Sequence, residues 1–186
     1  MEKGARVRPP YLLKHRCNSQ AEIDAALAEG FAGVEVDLVW NSQGDIILSH
    51  SHAKDDGPAL DAIDFHGCIV AVNIKEYGMS ACLGEYFVHG SSRDWFVFDV
   101  PGPELDIYCM AGVRVFGRYS QWEDQCRMVA VPGTLIDDFT GTPEGQLKLY
   151  LSKVRPMALI SNELRGGDDS VFVLRNVDYV IRKTLP

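Results

Sequence analysis

The stretch Gly33-Val34-Glu35-Val36-Asp37-Leu38 alternates apolar side chains with carboxylates. An extended strand sends successive residues to opposite faces, so Glu35 and Asp37 share one side and Val34, Val36 and Leu38 share the other. If the apolar side meets helices, both carboxylates point into the interior of a curved sheet. Two like charges held together out of water are costly unless a cation or protons offset them. Oxygen donors of this kind suit Mg²⁺ or Ca²⁺. The alternative is an edge strand whose polar face is simply solvated.

Outward from this strand, short apolar runs recur at 11–14, 34–39, 46–49, 69–74, 95–100, 113–117, 134–137, 157–160 and 179–182. Helical patterns at 19–29, 58–65, 80–89, 103–109, 121–128, 143–153 and 170–176 separate most of them, with Ser19, Pro103 and Pro143 as start signals. Strand–helix alternation predicts a parallel sheet covered by helices. Polar residues mark the strand ends at His15, Asp37, Lys75, Asp99, Arg118, Asp138, Glu163 and Arg182, on average about 24 residues apart. The one long step holds the extra strand 46–49 behind the turn Asn41–Asp45. Eight such units predict an α/β fold, a compact (β/α)8 TIM barrel spanning 1–186 as a single domain, with its chemistry at the C-terminal strand ends. Barrels of this kind run from about 200 residues upward, so this one is expected to have minimal loops. An open doubly wound sheet would call for a Gly-rich phosphate loop after the first strand, and none is present.

The bulk numbers narrow the function. The chain has 186 residues, 46% of them hydrophobic, and a net charge of −8 without any Lys/Arg run, which argues against nucleic-acid binding. A phosphate would have to be held by a local cation set against that overall field. Cys17, Cys68, Cys82, Cys109 and Cys126 form no CxxC pair and suggest reduced thiols. No apolar run reaches transmembrane length, and a cytoplasmic location is the expectation.

Two histidine sites flank the carboxylate strand: His15-Arg16 after the first strand and Ser49-His50-Ser51-His52 after the inserted one. Imidazoles suit proton abstraction and leaving-group protonation near neutral pH. His50 and His52 alone would be a zinc pair, but no third nitrogen or sulfur ligand is spaced to complete it. Asn73 and Lys75 share a strand side, so an amide oxygen for a metal and an ammonium for a phosphate are offered together. Arg118, Arg165, Arg182 and Lys183 lie at later strand ends as candidates for an anion pocket. His66 and His89 sit at helix ends and read as surface residues.

Taken in order, His15-Arg16, Glu35-x-Asp37, the Asn41–Asp45 turn running into His50, and Asn73-Ile74-Lys75 resemble the glycerophosphodiester phosphodiesterase superfamily. That group shares its barrel with phosphatidylinositol-specific phospholipases C. The resemblance implies His15 and His50 as the acid/base or nucleophile pair, with Lys75 catalytic or beside the phosphate. It implies Glu35 and Asp37, with Asn73 in the place of a third ligand, as the Mg²⁺ or Ca²⁺ site. It implies Arg16 and Lys75 as phosphate contacts, to which Arg118 is added as a substrate contact from its place at a strand end. Two positions depart from the pattern. Asn73 stands where the family has its third carboxylate ligand, and Ser51 where an Asp often follows the histidine. The expected activity is metal-dependent hydrolysis of a small phosphodiester or phospholipid headgroup by His/His acid–base catalysis. The Asn73 departure keeps a second expectation open, a degenerate barrel that binds a phosphate ligand without turning it over.

Overall fold

The computed structural model describes residues 11–51, 56–89, 94–120, 133–137, 158–161 and 179–182. Strands β1 (Tyr11–Lys14), β2 (Gly33–Trp40), β3 (Ile46–Leu48), β4 (Ile69–Ile74), β5 (Trp95–Phe98), β6 (Val115–Ser120), β7 (Gly133–Asp137), β8 (Ala158–Ser161) and β9 (Tyr179–Arg182) coincide, within a residue or three at each end, with the apolar runs of the sequence. Helices α1 (Gln20–Ala28), α2 (Ser80–His89) and α3 (Leu105–Met110) lie between them. The helices expected at 121–128, 143–153 and 170–176 fall outside the described residues.

Parallel pairing runs in the order β1-β9-β8-β7-β6-β5-β4-β2, and β1 also pairs in parallel with β2, Leu13 opposite Gly33. Within that set every strand has a parallel neighbour on both sides, which makes a curled α/β sheet. β3 stands apart, antiparallel on β2 with Leu38 opposite Leu48.

Strand alternation sorts the core into two layers. Val34, Val36, Leu38, Val70, Val72, Ile74, Val97 and Val115 face outward onto Ile23 and Ala26 of α1, Leu83 of α2, and Leu105 and Tyr108 of α3. Leu13, Ile69, Ala71, Phe96, Phe98 and Phe116 form a separate inner cluster, with Phe96 stacked on Phe116 at 4.3 Å. The odd-numbered residues of β2 belong to that inner side. A Cβ at Gly33 would lie 2.0 Å from the Ile69 carbonyl oxygen, so only glycine permits the approach of β2 to β4 there.

Two expected helices are corrected. The segment 58–65 holds one 3-10 turn, Leu60–Ala62, rather than a helix. Its start is drawn into sheet-like pairing: the Leu48 amide donates to the Pro58 carbonyl and Ala59 bridges Ile47, so the backbone there is extended. The segment 103–109 opens as a 3-10 turn at Gly102–Glu104, and the α-helix occupies only Leu105–Met110. β5 ends at Phe98 because Asp99 takes φ 57°, a left-handed conformation incompatible with an extended ladder.

α1 begins where the sequence signals it. Ser19 caps it, its Oγ accepting from the Glu22 amide at 3.3 Å and donating to the Glu22 carboxylate at 2.9 Å. Ser19→Ala is expected to lower stability by about 1 kcal/mol, or about 2–4 °C in Tm, readable by thermal melting. Among the described residues no helix is long and apolar enough to cross a membrane.

Candidate active site

Burying a carboxylate needs a reason, and the inner side of β2 buries two. Glu35 is 0% and Asp37 1% exposed, and Asn73, level with Asp37 on the adjacent β4, is 6% exposed. The elements around them deliver one set of partners to each acid.

Glu35 is held from the end of β1. Arg16 adopts φ 58°, which turns its backbone amide onto Glu35 Oε2 at 2.7 Å. Non-glycine residues rarely take this conformation, and such strain collects at functional sites. His15 Nε2 lies 3.7 Å from the same Oε2, and Asn73 Nδ2 donates weakly to Oε1 at 3.5 Å. The Arg16 side chain itself is exposed.

Asp37 is held from three directions. The turn after β2 folds the chain back: Asn41 Oδ1 accepts from the amides of Gln43 and Asp45, and Gly44 takes φ 89°. β3 then runs antiparallel along β2, the Ser49 amide donates to the Asp37 carbonyl, and His50 arrives with Nδ1 3.1 Å from Asp37 Oδ2. From β4, Lys75 Nζ pairs with Oδ1 at 3.0 Å. From the loop before α1, Asn18 donates from Nδ2 to Oδ2 at 3.0 Å and accepts from the Asp37 amide at 2.8 Å.

These partners drive the two acids apart. Burial, reinforced by the Asp37 charge, pushes the Glu35 carboxyl well above the ordinary carboxylate range. Burial also opposes the Asp37 charge, but the Lys75 ammonium, the Asn18 amide and His50 outweigh it and hold Asp37 below that range. The two carboxyls of one site are therefore shifted in opposite directions, Glu35 towards keeping its proton and Asp37 towards losing it. Burial pushes the nearby Cys17 thiol up to about 12, which makes it a core residue and not a nucleophile.

The arrangement has the elements of a cation site. Among the described residues no three His, Cys, Asp or Glu side chains converge on a metal position. The third ligand beside the two carboxylates would be Asn73, whose Oδ1 is buried and has no hydrogen-bond partner. Glu35, Asp37 and that amide oxygen make an all-oxygen donor set, the type that fits Mg²⁺ or Ca²⁺ rather than Zn²⁺.

Of the residues singled out from sequence, His15, Arg16, Glu35, Asp37, His50, Asn73 and Lys75 thus stand together where β1 and β4 end alongside the longer β2, and just beyond β3. Lys75, expected to face a phosphate, is ion-paired to Asp37. Arg118 lies on β6 with its Cα level with Leu135, three strands round from β2. Arg182 ends β9, level with Lys14 and Ser161. His52, Arg165 and Lys183 fall outside the described residues. His66 is half-exposed, as expected, and bridges Asp24 and Asp64 at 3.0 and 3.2 Å away from this rim. Asn18 is the site residue that sequence reasoning passed over. Its only local signal is an Asn directly ahead of the helix cap, in the loop after a His-Arg pair.

No protein-family description and no curated protein sequence matches the chain. Solved structures do. A glycerophosphodiester phosphodiesterase from Thermotoga maritima superposes with a TM-score of 0.62 at 14% identity, over 94% of this chain and 95% of that one. One from Agrobacterium tumefaciens gives 0.65 at 15% identity, over 93% and 96%. A phosphodiesterase from Oleispira antarctica, solved in complex with the product sn-glycerol-3-phosphate, gives 0.55 at 10% identity, over 94% and 93%. Identities this low speak for architecture alone. The chain has the fold of the glycerophosphodiester phosphodiesterase superfamily.

Proposed function

We propose that this chain is a metal-dependent phosphodiesterase acting on a small, glycerophosphodiester-like substrate from a single (β/α)8 barrel domain. The observation that carries the proposal is that two imidazoles at one rim are each set against their own buried carboxylate on a single strand: His15 near Glu35, and His50 on Asp37. With Nδ1 turned to Asp37, Nε2 is the ring nitrogen through which His50 would meet the substrate. One imidazole accepts the proton of the attacking oxygen, whether from water or from a neighbouring substrate hydroxyl. The other gives a proton to the departing alkoxide. On this reading Arg16, Lys75 and Arg118 would be the residues that meet the phosphate oxygens, Lys75 while paired with Asp37. A Mg²⁺ or Ca²⁺ held by Glu35, Asp37 and Asn73 would supply charge stabilisation at the phosphoryl group.

The test is hydrolysis of bis(4-nitrophenyl) phosphate and of glycerophosphodiesters, each with Mg²⁺, with Ca²⁺ and with chelator. Turnover that depends on the cation and releases a phosphomonoester is the expected result. A second proposal has an observation of its own: Asn73 occupies the position of a third acid, and Lys75 already neutralises Asp37. On that reading the barrel binds a phosphate ligand without turnover. Calorimetric binding of sn-glycerol-3-phosphate by a protein inert towards every diester would favour it.

A further inference from the structure

β1 pairs with β2 only as far as Lys14 opposite Val34, so β2 runs on beyond the end of its neighbour. The loop after β1 takes over the exposed edge. The Cys17 amide donates to the Glu35 carbonyl at 2.8 Å, and the next group needed, an acceptor for the Asp37 amide, is the side chain of Asn18 at 2.8 Å. A side-chain amide thus continues the ladder where backbone runs out. The same amide has a second half. Its Nδ2 donates to Asp37 Oδ2 at 3.0 Å, and Oδ2 is the oxygen that meets His50 Nδ1. Gripping one residue by both backbone and carboxylate leaves that carboxylate a single orientation, and Lys75 on Oδ1 completes the hold.

We infer that Asn18 is a positioning residue: by binding the Asp37 amide and Oδ2 together, it fixes the Asp37 carboxylate so that Oδ2 orients the His50 imidazole. Outer groups that orient a carboxylate–histidine pair change activity by about 10–100-fold when removed. The kinetic part of the test rests on the phosphodiesterase proposal; the spectroscopic part does not.

Two substitutions separate orientation from folding. Asn18→Asp keeps an acceptor for the Asp37 amide but sets a carboxylate against Oδ2. Asn18→Ala removes both bonds. With bis(4-nitrophenyl) phosphate, Asn18→Asp is expected to lower kcat by about 10–100-fold while KM stays within about twofold, in a protein whose melt remains cooperative. Long-range ¹H–¹⁵N correlation on the histidine rings is expected to find His50 as a single Nδ1–H tautomer in the parent and as a mixture in both variants. A kcat retained in Asn18→Asp would mean that the amide serves the ladder alone and would overturn the inference, as would an unchanged His50 tautomer. If Asn18→Ala fails to fold, Asn18→Asp carries the test. If the parent is inert towards diesters but the variants lose the tautomer, the phosphodiesterase proposal fails and the positioning role stands.

Discussion

His50→Ala and His15→Ala are each expected to lower phosphodiester turnover by about a hundredfold or more, the scale of a positioned acid or base. The two imidazoles contact different carboxylates, Asp37 and Glu35, so neither can substitute for the other. His50 sits two residues past the end of β3, where the hairpin sets it beside Asp37. His52 lies two residues further along the chain, and His52→Ala is expected to have a much smaller effect. Matched steady-state kinetics on the three variants decide this, with circular dichroism confirming that each is folded. Sensitivity at His52 combined with indifference at His15 would sink the two-histidine mechanism and favour a His-x-His zinc site.

The legible part of this molecule is the part written at short range. Alternation in β2 placed Glu35 and Asp37 on the inner side, because a strand's period of two leaves no other choice. Asn41 and Gly44 announced the hairpin that returns His50 to Asp37, since both residues serve the turn through their own local conformations. Asn73 and Lys75 followed from the same period at the end of β4, and the burial of Asn73 and the pairing of the half-buried Lys75 with Asp37 agree with it. What escaped depends on where distant segments meet. Asn18 matters only because the β1 ladder stops at Lys14 and leaves the Asp37 amide open, and nothing near residue 18 encodes that. The segment 58–65 has helical composition, yet Pro58 and Ala59 are claimed by β3, so tertiary pairing overrides local preference. Lys75 was legible as a cation at the rim; that it pairs with Asp37 follows from the parallel alignment of β2 with β4, which sets Asp37 level with Asn73.

Glu35→Gln is expected to make the protein more stable at pH 8 while, combined with Asp37→Asn, it abolishes Mg²⁺ and Ca²⁺ binding. The sign follows from the direction in which the carboxyl is moved. Burial first, and the Asp37 charge second, raise Glu35 above the ordinary carboxylate range. Between about pH 4.3, where an unperturbed Glu titrates, and its raised folded-state value, the folded protein keeps a proton that the unfolded chain releases. Stability therefore falls as pH rises through that window. Asp37 behaves oppositely: its lowered value contributes stability above the ordinary Asp range, and that contribution is lost as pH falls through the folded-state value. Glutamine keeps an acceptor for the Arg16 amide and carries no charge to bury beside Asp37. The expected gain at pH 8 is about 1 kcal/mol or more, about 2–4 °C in Tm for a chain of this length, and it should vanish near pH 4, where Glu35 is protonated in both states. Saturating divalent cation should raise the Tm of the parent by mass action and leave the double variant unmoved. Calorimetry on Glu35→Gln with Asp37→Asn, set beside melts of Glu35→Gln at both pH values, separates the two roles. Undiminished cation affinity in the double variant removes the metal site from these residues. A lower Tm for Glu35→Gln at pH 8 would instead mean that Glu35 is ionised and well paired without a cation, and that the proton it is expected to hold is not there.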